Sequence, residues 1–288
     1  MEHRLHIAGV VVLYNSSRAV LDNIKTYLDQ VEFLYAVDNS IECDNSIVEA
    51  LQRWEKVKYV RLGKNFGIAH ALNVGMQKAI EGGYGYMLTM DDDSQASPNM
   101  VDAYLEFLEK CDDSERIGIV SPFHFYRNYT LSAVKGDKEV LTAITSGSLI
   151  NLRSYQRVGP FLEQLFIDYV DFEFCLRLNA NGYKVVQAGD AVLYHNLGDL
   201  VPHKILWMRI GATNHSPLRI YYRTRNRLFV AEKYLLKFPG FVLKDLVTFL
   251  NELVKILLFE SERFEKFKMV FKGLADFILN RFGEYRKT

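Results

Sequence analysis

The sequence predicts an α/β fold: a doubly wound, mixed sheet followed by a C-terminal helical extension. Three observations carry that expectation. The first sixty residues alternate apolar, β-branched runs with amphipathic stretches in the order β-α-β-α-β, the pattern of a sheet covered by helices on both faces. Polar and acidic residues gather where those runs end, at Asn15, Asp38 and Asp91–Asp93. In such sheets ligands bind beyond the carboxyl ends of the strands. Finally, 49% of the 288 residues are hydrophobic, enough for a full core and too many for a disordered chain.

Ile7–Tyr14 (IAGVVVLY) reads as a strand buried on both faces. Asn15-Ser16-Ser17 ends it and is expected to cap a helix over about residues 18–30, with Val20, Ile24, Tyr27 and Leu28 on one face. Phe33–Val37 is a second strand, closed by Asp38-Asn39-Ser40. A helix over about 44–54 and a strand at Lys58–Leu62 follow. Asn65 and Gly67 supply a turn, and Ala69, Ala71 and Gly75 begin a helix that can approach the sheet closely. Its N-terminus would favour anionic groups, and a plain packing junction fits the same residues equally well.

Tyr86–Ser94 (YMLTMDDDS) is an apolar run delivering three aspartates. Carboxylates so close repel one another and stay ionised most readily around a cation. Asp91 and Asp93 lie two residues apart, on one side of a continuing strand. Oxygen-only ligands suit Mg²⁺ or Mn²⁺, with other positions left to water and substrate phosphates. In isolation the motif is equally a solvated acidic turn capping the helix after Pro98. Helix Pro98–Lys110 and strand Gly118–Ser121 come next, and 123–140 reads as a variable loop or hairpin.

The formal net charge is zero but unevenly placed: +9 over residues 201–288 and −9 over residues 1–200. An acidic site in a neutral chain argues against a nucleic-acid partner. Cys43, Cys111 and Cys175, odd in number and widely spaced, argue against a disulfide framework or zinc site and for a reducing compartment. The N-terminus has no long apolar region and no uncharged run is long enough to span a bilayer. The expected location is therefore cytoplasmic, with any membrane contact peripheral.

A strand ending in Tyr14-Asn15, a second ending in VDNS, the segment NFGIAHALNVG at 65–75 and TMDDDS at 89–94 resemble family-2 glycosyltransferases of the GT-A fold. These are inverting, nucleotide-sugar-dependent enzymes. The resemblance covers about residues 5–230 and is narrowest to the bacterial rhamnosyltransferase branch, whose acidic motif also ends in DS. It implies a GT-A (Rossmann-like) domain over 1–230 and an amphipathic helical extension over 231–288. It also implies donor contacts from Tyr14, Asn15, Asp38, Asn65, Gly67, Asp91 and Asp93. A divalent cation, Mg²⁺ or Mn²⁺, would sit on Asp91 and Asp93. Asp93 is the favoured direct ligand, Asp91 serves the ribose or a metal-bound water, and Asp92 is expendable.

Further expectations follow from the resemblance. Thr145–Ile150 (TSGSLI) lies in the family beneath donor and acceptor sugars, which puts Gly147 on the donor side and Ser146 on the acceptor side; an ordinary Gly-containing strand edge is the alternative. Phe166–Arg177 (FIDYVDFEFCLR) matches the pattern ED-x-D-x-x-x-R, with Val170 for the glutamate and Glu173 for the second aspartate. Asp171 aligns with the catalytic base; Asp168, about one turn earlier, and Glu173 are expected on the acceptor side. His195 stands where many relatives place a histidine close to the metal or diphosphate, though a lone histidine at a strand end is as readily a plain polar residue. Tyr221–Arg227 (YYRTRNR) offers guanidinium groups that match phosphate oxygens, so Arg223 and Arg225 are assigned to a donor or lipid-linked acceptor diphosphate, against a solvated basic face.

The favoured donor is dTDP-rhamnose and the acceptor a cell-surface polysaccharide or lipid-linked glycan precursor. The rivals are another nucleotide sugar, with galactofuranose or a hexose, and a non-catalytic nucleotide-sugar-binding module. In the tail, Val242, Leu246, Phe249, Leu250, Leu253 and Leu257 form one helical stripe, and Phe264, Phe267, Phe271, Leu274 and Ile278 continue it among basic residues. Such helices suit either peripheral contact with an anionic membrane or packing on the catalytic domain or a second subunit in a homodimer.

Overall fold

The computed structural model describes residues 5–126, 136–195, 201–205, 208–212 and 214–286, with the backbone alone at 126, 195, 201–205 and 208–212. The chain forms two compact units, Met1–Glu163 with Val170–Asn196, and Gln164–Tyr169 with Leu197–Thr288.

In the first unit β1 (Ile7–Leu13), α1 (Val20–Leu28), β2 (Phe33–Asp38), α2 (Asn45–Gln52), β3 (Val57–Arg61), α3 (Ile68–Glu81) and β4 (Tyr86–Asp91) alternate as expected. Then come β5 (Ser94–Ala96), α4 (Met100–Lys110), β6 (Ile117–Tyr126), β7 (Lys138–Val140), β8 (Leu149–Asn151), α5 (Leu152–Val158), α6 (Val170–Ala180) and β9 (Lys184–His195). The sheet runs β3-β2-β1-β4-β8-β6-β9-β5, with β7 also on β9. β3 through β4 are parallel, and β8 lies antiparallel between β4 and β6, which makes the sheet mixed.

Every residue of β1 is buried, because helices cover both faces of the sheet. The chain winds outward from β1 to β3 and then crosses to β4 on the other side of β1. That reversal is the switch point at which such sheets open a crevice. The small residues of α3 serve close packing: a Cβ at Gly75 would meet the Val10 side chain at 2.5 Å.

Some local expectations change. Ser16 and Ser17 do not cap α1, whose N-cap Ala19 makes no side-chain hydrogen bond. Asp92–Ser94 do not cap α4 either; Ser94 instead enters β5, paired antiparallel with β9. The stretch at 123–140 extends β6 and supplies β7, so part of the expected loop is sheet.

The second unit contains the hairpin β10 (Val201–Ile205) and β11 (Met208–Ala212), then α7 (Pro217–Tyr234), α8 (Pro239–Phe259) and α9 (Arg263–Ile278). α7 packs closely on α9, where a Cβ at Gly273 would meet the Tyr221 carbonyl oxygen at 2.8 Å. The boundary expected at 230 therefore cuts α7, which belongs with the helices that follow it. No helix among the described residues is long and apolar enough to cross a membrane.

The apolar stripes of α8 and α9 are only partly covered. Val242 and Ile256 of α8 are buried, while Leu250 and Leu257 point outward. On α9 the inward face is Lys266, Val270, Gly273 and Asp276, while Phe264, Phe271 and Ile278 are exposed. The cause lies in α7, whose Arg225 and Arg227 are fully buried. Arg227 pairs with Asp245 (3.2 Å) and Glu252 (3.0 Å), drawing the acidic face of α8 inward. Buried guanidinium groups need such partners, and that requirement overrides apolar periodicity.

Candidate active site

Three neighbouring strands deliver the polar cluster. Register pairs Leu13 with Asp38 across β1 and β2, and Val12 with Asp91 across β1 and β4, so the ends of all three lie side by side. Asn15 follows β1 in the left-handed region (φ 50°), which asparagine tolerates, and its N–H donates to Ser40 Oγ at 2.8 Å. Exposed Tyr14 donates its N–H to Ser16 Oγ at 3.1 Å. Asp38 is buried and accepts from the Ser40 N–H (2.9 Å) and the Tyr59 hydroxyl (2.7 Å). Burial pushes its carboxyl upward, but hydrogen bonds from Cys43, Ser40 and Tyr59 outweigh it and hold the group below the ordinary aspartate range.

Beyond these ends lies a cavity of about 280 Å³. Asn15, Ser16, Asp38 and Ser40 give it a polar rim, and Ile47 and Val48 an apolar wall. A flat heterocycle with a hydrogen-bonding edge suits such a lining.

At the end of β4, Asp91 is half-buried and Asp93 exposed. Ser146 lies beneath them, buried, its Oγ accepting from the Asp91 N–H (3.3 Å) and sharing a hydrogen bond with Ser94 Oγ (2.9 Å). Ser146, expected on the acceptor side, is thus buried and braces the aspartate motif. Asp92, expected to be expendable, is hydrogen-bonded into the fold. Its carboxylate accepts from Ser16 Oγ and its carbonyl from Asn23 Nδ2 at 2.8 Å, which ties the motif to α1.

Asp91 and Asp93 present hard oxygens only, and no group of three His, Cys, Asp or Glu gathers among the described residues. Two carboxylates plus water and diphosphate oxygens is the usual Mg²⁺ environment, so the donor set fits a divalent cation. The backbone of His195 pairs in register with Ser94, beside the motif; its side chain lies outside the described residues.

The flanking loops are held by asparagines. Asn65 Oδ1 accepts from Gly67 N–H (2.9 Å) and Asn39 Nδ2 (3.0 Å), while Asn39 Oδ1 accepts from Phe66 N–H (2.8 Å). The carbonyl oxygen of Asn65 is thus engaged within the loop that leads to Gly67 (φ 88°) and α3, and is not turned to a donor. Gly147 (φ 76°) is fixed by its N–H to Thr89 O (2.7 Å) and by Tyr104 hydroxyl to its carbonyl (2.6 Å). A Cβ there would meet Pro122 at 2.7 Å, so backbone and space both demand glycine.

Asp171 sits half-buried in the first turn of α6, Oδ1 accepting from the Phe172 N–H at 2.9 Å. The helix N-terminus favours its ionised form. Glu173 is different: fully buried, it pairs with Arg177 at 2.9 Å, and Arg177 donates to the carbonyls of Val158, Gly159 and Pro160. Its acceptor-side assignment is corrected to a clamp between α6 and the end of α5. Asp168 is corrected too. Helix α6 begins only at Val170, Asp168 has φ 61°, and its carboxylate is held by Arg219 at 2.7 Å.

The arginine assignments also change. Arg225 stacks on Tyr221, Tyr222 and Phe282 and donates to the carbonyls of Gln164, Leu165 and Gly283. Arg223 pairs with Glu252. Buried and so engaged, Arg225 is a strut of the second unit and not a phosphate ligand.

Sequence reasoning missed Asn39, Ser40, Tyr59 and Asn23 as supports. For Asn39 and Ser40 the available signal was their place directly after β2; Tyr59 within β3 and Asn23 within α1 carry no such signal.

A mixed sheet whose switch point carries an aspartate motif defines a nucleotide-sugar-binding GT-A fold, and the comparisons agree. The Glycosyl transferase family 2 model matches residues 10–152. The dTDP-rhamnosyl transferase RfbF of Shigella flexneri is 30% identical over 250 residues, covering 79% of this chain and 80% of that protein. The chain belongs to glycosyl transferase family 2 and is a glycosyltransferase. Among solved structures, S. aureus TarS 1-349 in complex with UDP-GlcNAc aligns with a TM-score of 0.64 at 15% identity, over 95% of this chain and 81% of that one. GalNAc-T7 with UDP, GalNAc and Mn²⁺ aligns with a TM-score of 0.60 at 13% identity, over 84% and 50%. This chain spans 43% of another, longer TarS chain.

Proposed function

We propose that the protein transfers L-rhamnose from dTDP-rhamnose, with inversion, onto a cell-surface polysaccharide or lipid-linked glycan precursor. The observation that carries this reading is the grouping of Asn15, Asp38 and Asp91–Asp93 at three adjacent strand ends, with Asn15 and Asp38 lining a cavity there. The rhamnosyltransferase relative supports the choice of sugar.

Asp38 and the cavity walls would hold the nucleobase and ribose, and Asn15 the turn beside them. Asp91 and Asp93 would hold a divalent cation, Mg²⁺ or Mn²⁺, which when bound supplies positive charge to the departing diphosphate. Asp171 would take the proton from the acceptor hydroxyl as it attacks the anomeric carbon. Its place in the first turn of α6 fixes this carboxylate at the helix N-terminus. One base and a single displacement invert the anomeric centre without a covalent sugar–enzyme intermediate.

Release of dTDP from dTDP-rhamnose in the presence of acceptor-bearing membranes tests this, with UDP-sugars as controls. Asp171→Asn is expected to lower kcat by about a hundredfold or more while leaving the donor KM within a few-fold. Unchanged turnover in that variant would remove Asp171 as the base.

A further inference from the structure

The outward face of α8 has a chemistry that the reaction does not use. Leu243, Val247, Leu250, Val254 and Leu257 follow one another at intervals of four and three residues, each more than half exposed. Leu236, just before the helix, is 95% exposed, and Phe264, just after it, 93%. Soluble monomers rarely leave so continuous an apolar strip in water. The charges are just as one-sided. Both acidic residues of α8, Asp245 and Glu252, are turned inward onto Arg223 and Arg227. What remains beside the strip is basic: Lys244 on the helix and Lys237 in the turn before it, both exposed. Beyond the helix end Glu260 is buried on Lys266, and Glu262 and Glu265, either side of Phe264, are exposed.

We propose that this face docks on an anionic lipid surface, the aliphatic strip entering the acyl boundary and Lys237 and Lys244 reaching the headgroup phosphates. Lysine stems lie along apolar surface while the ammonium stays with water and phosphate, as such a face requires. A second copy of the chain fits less well. A two-fold contact sets each face against itself, and Lys244 would meet the outer side of α8, whose own carboxylates are both turned onto Arg223 and Arg227.

The test is co-flotation of the full chain with vesicles. Vesicles of equal phosphatidylglycerol and phosphatidylcholine are expected to carry the protein. Pure phosphatidylcholine should bind at least about tenfold more weakly, as should the variant Lys237→Glu/Lys244→Glu on anionic vesicles. Val247→Glu/Val254→Glu should abolish binding while its circular dichroism melt stays close to wild type; if that variant does not fold, the lysine variant carries the test. Absence of the wild type from anionic vesicles, or equal flotation of the variants, overturns the proposal. So does a dimer in vesicle-free buffer that Val247→Glu/Val254→Glu dissociates while the wild type ignores vesicles, which would assign the face to a second copy. The binding needs no donor, so its outcome is independent of the proposed transfer reaction.

Discussion

Asp38 shows how a single carboxylate ties the candidate nucleoside cavity to stability. Burial raises its pKa, and hydrogen bonds from Cys43, Ser40 and Tyr59 lower it further than burial raises it. A carboxyl whose folded pKa lies below its unfolded value, about 3.9, stabilises the fold above that value and loses the contribution as pH falls through the folded pKa. Thermal melts between pH 3 and 7 should therefore drop more steeply below about pH 4 in the wild type than in Asp38→Asn. At pH 7 the variant should be less stable by about 1 kcal/mol, having lost a charge-assisted acceptor. Parallel pH curves for the two proteins would rule Asp38 out as the source. At this scale the sequence placed Asp38 and Asp91 at strand ends, because such ends are visible in it. It did not reveal which way side chains turn. Ser146 and Glu173 sit where expected along the chain yet point into protein, where partners such as Ser94 and Arg177 meet them.

At the scale of elements, α3 was legible because Ala69, Ala71 and Gly75 leave no side chain between helix and sheet. Gly75→Val should then be costly, since β1 cannot yield to a Cβ already 2.5 Å from Val10. Overpacking of this kind destabilises by about 1–3 kcal/mol. Urea unfolding should show that loss at an unchanged slope, and a variant as stable as wild type would mean that α3 can move away from β1. Periodicity marks the apolar stripes of α8 and α9 but leaves open which side of each helix is covered. A stripe of leucines or phenylalanines is normally the inward face. Here Arg225 and Arg227 are buried on α7, and Asp245, Glu252, Lys266 and Asp276 turn inward with them. Leu243, Val247, Leu250, Val254 and Leu257 take the outer side, while Val242, Ile256 and Val270 stay buried. The burial of arginines depends on residues far along the chain, so local sequence does not announce it.

Over the whole molecule the division of charge along the chain, −9 before residue 201 and +9 after it, parallels the division of chemistry. The acidic unit carries the switch-point crevice, the aspartate motif and Asp171. In the second unit Asp245, Glu252, Glu260 and Asp276 are held in ion pairs, and the outer face of α8 shows aliphatics and Lys244. The parallel strands β1–β4 were legible as a group, whereas the antiparallel insertion of β8 and the pairing of β5 with β9 were not. Such long-range pairings join segments that share no local pattern. The central claim is that Asp91 and Asp93 hold a nucleoside diphosphate through a divalent cation at the end of β4. Calorimetric titration of the full chain with dTDP, in Mn²⁺ and in chelator, tests it most directly. The account predicts binding at least about tenfold tighter with Mn²⁺, a difference of about 1.4 kcal/mol, and loss of that dependence in Asp93→Ala. Equal affinity with and without the metal, or an Asp93→Ala variant that keeps the full Mn²⁺ effect, would contradict it.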